Sequence, residues 1–214
     1  MQVTDKMIAF VKQQYSDNLV SFYEYGAQEN QHSRFFLIVL KSVELNQLRP
    51  SLLKRHPFKA SAQFTVFTQN ELLNSIDVFP VEFLEMQQTR HLLAGTDCLA
   101  DIEIHLDNLR HECEYTLRST ILKLRSAVFG SRVGYSDLIA ESYPVIYATL
   151  KCLFTLQNKA CPADKDACLL SLTILTGVDM DVLDQMAMQS KCDEANFQRY
   201  LDGLSQLTCY VNAI

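Results

Sequence analysis

Hydrophobic residues in the first hundred positions follow helical spacing in some segments and strand-like spacing in others. Met7, Ile8, Val11 and Tyr15 recur every three or four residues, which predicts a helix over residues 4–15. Runs of β-branched and aromatic residues predict strands. The predicted strands cover residues 19–25, 35–43, 62–67, 81–86 and, as a short fifth, 102–104, with short helical patterns at 45–55 and 70–75.

The pattern changes beyond His105, where strand signals stop and long helical patterns begin. One apolar stripe there steps by three or four residues over about six turns: Leu106, Leu109, Cys113, Leu117, Ile121, Leu124 and Val128. Further helices are predicted at residues 135–157, 166–176, 182–189 and 196–211, and Pro144 is expected to kink the first of them. The sequence therefore predicts an α+β fold: a small mixed sheet with flanking helices in residues 1–105, then an α-helical bundle in residues 106–214.

Composition narrows the class of protein. Hydrophobic residues make up 48% of the 214 positions, enough for a buried core, and the net charge of −6 disfavours binding to a nucleic-acid backbone. No apolar run approaches the roughly 20 residues of a membrane span, and the N-terminus lacks the pattern of a signal peptide. Seven cysteines without a C-x-x-C pair indicate reduced thiols. We expect a cytoplasmic protein with no membrane or nucleic-acid partner.

One segment, YGAQENQHSRFFLIVL at residues 25–40, has the layout of a catalytic motif. A strand ends at a glycine turn, a polar loop follows, and a second strand begins with Arg34-Phe35-Phe36. This layout resembles the nucleotidyltransferase superfamily, including antibiotic adenylyltransferases and small bacterial relatives with a C-terminal helical domain. Their turn reads Gly-Ser, and an Asp-x-Asp strand follows about ten residues later. Residues 75–99 also resemble a segment of uncharacterised bacterial members, so the resemblance covers roughly residues 1–130.

The resemblance implies an activity that these residues do not support. In the family, two carboxylates at positions i and i+2 of a strand share one face and hold the divalent ions that bridge nucleoside triphosphate phosphates. Here Arg34 and Phe36 occupy that pair, and neither offers an oxygen ligand to magnesium. Ala27, after Gly26, lacks the hydroxyl that contacts phosphate in the family. We expect no metal site, no cofactor and a catalytically inactive protein with a binding, regulatory or scaffold role.

The alternative is an active nucleotidyltransferase that uses displaced carboxylates together with magnesium and a nucleoside triphosphate. The candidate acids near the motif are Glu24, Glu29, Glu82, Glu85, Asp101 and Glu103. On a strand, Glu82 would share a face with Leu84 and Met86, and either it or Glu103 would match the family's third carboxylate.

Arg34 and Phe36 each have two interpretations. Arg34, with Gly26, is a candidate for binding a cofactor's phosphate or a partner's carboxylate; the interpretation we favour is an ion pair with Glu82 or a loop acid. For Phe36 we favour core filling of the former pocket, with stacking on a base as the alternative.

The helical side of the predicted domain junction is the most basic region of this acidic chain. It carries six basic side chains: Arg110, Arg118, Lys123, Arg125, Arg132 and Lys151. In antibiotic-modifying relatives the helical domain helps to enclose the acceptor, so the resemblance implies a small-molecule or protein ligand at the interdomain cleft. The alternative is a salt-bridged surface, because Glu112, Glu114 and Asp137 are interspersed. Abundant leucine and methionine in the bundle also favour a homodimer through its helices.

Overall fold

The computed structural model describes residues 3–26, 34–45, 48, 62–130 and 133–214. The chain divides into two compact units, Met1–Ile104 and His105–Ile214, which are described separately below. The segment predicted to be helical at 45–55 lies almost wholly outside the described residues, as do Ala27, Glu29 and Arg132.

The first unit combines helices with a mixed sheet. In chain order its elements are α1 (Val3–Tyr15), a 3₁₀ turn (Ser16–Asn18), β1 (Leu19–Tyr25), β2 (Arg34–Leu40), β3 (Ala62–Thr68), α2 (Gln69–Leu73), α3 (Pro80–Thr89) and β4 (His91–Gly95). The sheet of the described residues has four strands in the order β3-β2-β1-β4. Strand β1 runs antiparallel to β2 and β4, whereas β2 and β3 are parallel. The predicted hairpin of the first two strands is confirmed.

Alternating strand residues give the sheet two apolar faces. Side chains of α1, including Met7 and Val11, pack against the face that carries Phe22, Phe36 and Ile38. The opposite face is covered by the region around α2 and α3: its buried cluster comprises Tyr23, Leu37, Val39, Leu72, Phe83, Met86, Leu99 and Ile102. A sheet that is covered on both faces explains the near-continuous apolar run of β2.

Two of the strand predictions are wrong. Residues 81–86 lie within helix α3, where Pro80 occupies the first turn and Phe83 and Leu84 are buried. Proline suits a helical first turn because its missing N–H has no intrahelical partner there. Residues 102–104 form no strand, and the fourth strand is β4, which the sequence analysis missed.

The segment after β4 is fastened to the sheet by polar contacts. The Tyr23 hydroxyl accepts a hydrogen bond from the Cys98 backbone N–H at 2.7 Å and donates one to Asp97 at 3.0 Å. Arg90 donates to both Asp97 carboxylate oxygens at 3.1 Å. Gln87 reaches the carbonyl oxygens of Leu99 and Ile102. Burial raises the pKa of Tyr23 above its ordinary value of 10.0, so its hydroxyl keeps the donating proton into the alkaline range.

The described part of the second unit is helical. Its elements are α4 (Leu106–Gly130), α5 (Tyr135–Leu156), α6 (Lys165–Thr176), α7 (Met180–Met188) and α8 (Glu194–Ala213). Asp164, Asp179 and Asp193 cap the last three helices, each accepting a backbone N–H bond. The predicted helices are confirmed, and the protein is α+β as expected. Over the described ranges, no helix is both long enough and apolar enough to cross a bilayer.

Candidate functional site

Strand geometry places Arg34 and Phe36 on one face of the sheet. They stand at positions i and i+2 of β2, and side chains at that spacing point the same way. In the β1–β2 register, Glu24 lies opposite Phe36, so Glu24 is the diagonal neighbour of Arg34. In the parallel β2–β3 register, Phe64 lies beside Phe36. The four side chains therefore form one cluster at this end of the sheet.

Arg34 is engaged by Glu24 in a two-point contact. The guanidinium Nε lies 2.6 Å from Glu24 Oε1, and Nη2 lies 2.8 Å from Oε2. The side chain of Glu24 is only 15% exposed, and that of Arg34 is 36% exposed. The hydrogen bond that Arg34 donates to Glu24 raises the pKa of Arg34 above its ordinary value despite partial burial. The expectation that Arg34 pairs with Glu82 is wrong, because Glu82 lies on α3 and the described partner of Arg34 is Glu24 on the adjacent strand. The alternative of a loop acid falls on residues 27–33, outside the described residues.

Phe36 fills the space next to this ion pair. Its side chain has no solvent exposure. Its ring centroid lies 5.2 Å from that of Phe64 in a stacked arrangement and 5.7 Å from that of Phe22. The guanidinium carbon of Arg34 sits 5.1 Å from the Phe36 ring centroid, within range of a cation–π contact. Phe36 thus belongs to the core between the sheet and α1.

The side chains at this end of the sheet do not fit a pair of divalent cations. Magnesium requires several oxygen ligands, whereas a guanidinium and a benzyl group provide none. The one carboxylate of the cluster, Glu24, already accepts two hydrogen bonds from Arg34. The neighbouring position on β3 holds Phe64, another ring without a donor oxygen. We therefore derive no chemistry through a metal at these positions.

Gly26 ends β1 in a conformation that suits glycine. Its φ of +64° lies in the left-handed region, which side chains with a Cβ rarely adopt. The Gly26 N–H donates to Thr89 Oγ1 at 2.9 Å, which ties the turn to the end of α3. Ala27, the next residue of the predicted turn, lies outside the described residues.

Glu82 is not brought together with Arg34 and Phe36. It lies exposed on α3, so the strand parity assigned to it from the sequence is wrong. Glu82 and Glu85 raise the pKa of Tyr25 through their charges, in addition to the larger effect of burial. Tyr25 packs on the face opposite Phe36, and its hydroxyl lies 3.4 Å from Thr65 Oγ1. Glu103 is also exposed and is not on a strand.

Sequence reasoning did not assign two residues to the cluster around Arg34 and Phe36. Glu24 was one of six candidate acids, and Phe64 was not singled out. The observed β1–β2 register places Glu24 and Arg34 on the same face of neighbouring strands, and predicting a hairpin does not by itself give that register. No local signal identifies Phe64. Strand β3 is distant from β2 in the sequence, and residues 46–61 make up most of the segment between them.

Comparison with protein-family models and with curated proteins finds no match. Comparison with solved structures finds a spectinomycin adenyltransferase from Enterococcus faecialis, described as a complex with ATP and spectinomycin. The TM-score is 0.58 at 11% sequence identity, and the match covers 98% of each chain. The chain has a nucleotidyltransferase fold. At 11% identity, the comparison shows the fold alone.

Three of the six basic residues singled out in the helical unit are paired or stacked in the described structure. Arg110 and Arg118 both contact Glu114, at 3.2 and 2.8 Å, and lower its pKa. Lys151 lies 5.6 Å from the ring centroid of Tyr147. These contacts favour the interpretation of a salt-bridged surface over that of an anion site. All seven cysteines are free thiols, as expected.

Proposed function

We propose that this chain is a nucleotidyltransferase-fold protein that does not transfer nucleotides and that acts by binding, as a regulatory or scaffold protein. The observation that carries the proposal is the cluster of Glu24, Arg34, Phe36 and Phe64, which places an ion pair and a packed aromatic stack at the strand positions assigned to the metal-binding carboxylates. Metal ions stabilise a phosphoryl-transfer transition state by several kcal/mol. Each ~1.4 kcal/mol lost slows a reaction tenfold, so turnover without them falls by orders of magnitude.

The same cluster argues against metal-free nucleotide sensing through Arg34. A guanidinium binds phosphate best with two parallel N–H donors. Arg34 directs its Nε and Nη2 donors to Glu24, and the pair is only partly exposed. A phosphate that bound through these two donors would have to displace a carboxylate held at two points. We therefore expect Arg34 to have a structural role in this protein.

The binding partner belongs to this proposal as well. A small-molecule or protein ligand and a homodimer through the helical unit both fit a scaffold role. Large apolar side chains exposed on α4 and α6 support contacts of this kind, with Leu122 65% and Ile174 78% exposed. We expect this binding to require neither magnesium nor a nucleotide.

Thermal unfolding with ATP, with and without magnesium, tests the proposal. A ligand that binds only the folded state at a hundred times its dissociation constant stabilises it by about 2.7 kcal/mol, which is a measurable shift in melting temperature. We expect no shift in either condition. A spectinomycin adenyltransferase treated in parallel is the positive control, and Arg34→Ala is the matched variant of this chain.

Two outcomes would overturn the proposal. A magnesium-dependent shift, accompanied by transfer of labelled adenylate from ATP to spectinomycin or to the protein, would identify an active enzyme with displaced carboxylates; loss of that transfer in Glu82→Ala or Glu103→Ala would locate them. A magnesium-independent shift that disappears in Arg34→Ala would identify a nucleotide sensor instead.

A further inference from the structure

Two cysteines lie close together at the start of α6. The sulfur atoms of Cys161 and Cys168 are 3.9 Å apart. Cys168 is only 1% exposed, whereas Cys161 is partly exposed in the segment that leads into the helix. Each of the seven cysteines is a free thiol, so this pair is reduced in the structure.

The two cysteines differ in how firmly their backbone is held. Cys168 lies in the first turns of α6, and its N–H donates to the Asp164 carbonyl at 2.9 Å. The Asp164 side chain caps the same helix by accepting the Ala167 N–H at 2.9 Å. Cys161 precedes this cap, and its thiol donates to the Pro162 carbonyl at 3.6 Å. Any approach of the two sulfurs is therefore expected to move the segment around Cys161 rather than the helix.

We propose that Cys161 and Cys168 form a redox-modification site, in which a low-molecular-weight disulfide of the glutathione class converts them into a reversible intramolecular disulfide. A disulfide bond is about 2.0 Å long, so the sulfurs must approach by about 1.9 Å. Rotation of the Cys161 side chain and a small displacement of its segment provide an approach of that size without unwinding the helix.

The reaction balances in two exchange steps. Cys161 Sγ, after losing its proton, attacks one sulfur of the small disulfide, forms a mixed disulfide and releases one small thiolate. Cys168 Sγ, after losing its proton, then attacks the Cys161 sulfur and releases the second small thiolate. The two protons lost by the cysteines are gained by the two thiolates. The protein loses two hydrogens and is oxidised, and the small disulfide is reduced to two thiols.

Exposure and pairing distinguish this pair from the other cysteines. Cys113 and Cys152 are in contact but only 0% and 5% exposed, and the hydrogen bond with Cys113 together with burial raises the pKa of Cys152, so this thiol stays protonated and unreactive. Cys209 is exposed, and among the described residues no sulfur–sulfur contact is observed for it. The pair of Cys161 and Cys168 combines a partly exposed attacking sulfur with a resolving sulfur 3.9 Å away.

Tryptic mapping after treatment with oxidised glutathione tests the proposal directly. Cleavage after Lys159, Lys165 and Lys191 separates the two cysteines into different peptides, residues 160–165 and 166–191, each with a single cysteine. We expect these peptides to be recovered as one cross-linked species lighter by two hydrogens than the sum of the two. Excess reduced glutathione should return them as separate peptides.

Isotopic mixing establishes that the bond lies within one chain. An equal mixture of ¹⁵N-labelled and unlabelled protein should give cross-links that are wholly heavy or wholly light. Cys161→Ser should leave Cys168 as a free thiol, and Cys168→Ser should leave Cys161 as a stable mixed disulfide with glutathione. Cys209→Ser is the matched control and should leave the cross-link unchanged.

Three results would overturn the proposal. In wild-type protein that retains its helical circular dichroism, they are recovery of both peptides as free thiols and recovery of Cys161 as a mixed disulfide only. The third is a cross-link that mixes heavy and light chains, which would assign the bond to two molecules.

Discussion

The side chain of Phe36 is fully buried between two other rings and packs β2 against α1. Removing it leaves a cavity bounded by the sheet on one side and the helix on the other. Truncation of a buried phenylalanine to alanine costs about 3–5 kcal/mol of unfolding free energy. We expect Phe36→Ala to lower the unfolding free energy by that amount, measured by urea denaturation.

The matched control for this prediction is Phe129→Ala, because Phe129 is 97% exposed. An exposed substitution of this kind changes stability by only about 0.5 kcal/mol in either direction. Equal effects of the two substitutions would contradict the packing described for Phe36. They would also remove the reason to regard Phe36 as core filling at the former carboxylate position.

Single residues show where sequence reasoning reached the site and where it stopped. The alternation of side chains along a strand was enough to predict that Arg34 and Phe36 share a face, because that rule is local. The partner of Arg34 depends on the register between β1 and β2, which the local pattern does not state. Glu24 was therefore one candidate among six until the pairing was known.

Strand β4 joins the sheet along β1 and ends at Gly95, where the two backbones come unusually close. Gly95 has a φ of +87°, and a Cβ at this position would lie 2.0 Å from the Val20 carbonyl oxygen. Gly177, which ends α6, has a similar φ of +75° but no atom within 4 Å of such a Cβ. At both positions a residue with a Cβ would bear the cost of a left-handed backbone. At Gly95 it would also clash with the neighbouring backbone.

This difference predicts the order of two substitutions. Gly177→Ala should cost about 1–2 kcal/mol, the cost of the left-handed conformation for a residue with a Cβ. Gly95→Ala should cost clearly more, because the clash is with backbone and relief requires β4 to separate from β1. Urea denaturation of the two variants measures the order, and a Gly95→Ala variant as stable as Gly177→Ala would contradict the described pairing of β4.

Elements with long helical periods could all be predicted, whereas short apolar runs were predicted correctly for β1, β2 and β3 but not for residues 81–86 or β4. The bundle helices each present several turns of regular spacing, so only their ends shifted by a residue or two. Residues 81–86 are too short for strand and helix periods to differ, and Pro80 suits either a strand edge or a helical first turn. Strand β4 has five residues, and its pairing with β1 is a long-range contact that no local pattern encodes.

Buried tyrosines occur in both units, and they contribute to the response of the whole molecule to alkaline pH. Burial raises the pKa of Tyr23 in the first unit and of Tyr143 in the second, and raises that of Tyr200 from 10.0 to about 12. For Tyr200, burial outweighs the opposing hydrogen bond with Ser142. Each of these hydroxyls is therefore harder to ionise in the folded chain than in the unfolded chain.

The sign of the pH dependence follows from this difference. Below about pH 10 both states keep the proton of Tyr200, so its contribution to stability is fully present. Between about pH 10 and 12 the unfolded state loses the proton while the folded state keeps it, so the unfolding free energy falls as pH rises. At about 1.4 kcal/mol for each pKa unit, Tyr200 alone should remove about 3 kcal/mol over that range.

Tyr200→Phe separates this effect from ordinary packing. The variant loses the 3.0 Å hydrogen bond with Ser142, so we expect it to be less stable than the wild type by about 1 kcal/mol near neutral pH. It should nevertheless lose less stability between pH 8 and about 11, because it has no hydroxyl to ionise at this position. Tyr115→Phe, at a side chain that is 66% exposed, should follow the wild-type curve in urea denaturation at each pH. If Tyr200→Phe also followed the wild-type slope, the alkaline loss of stability would have to come from other groups, and burial of Tyr200 would not contribute to it.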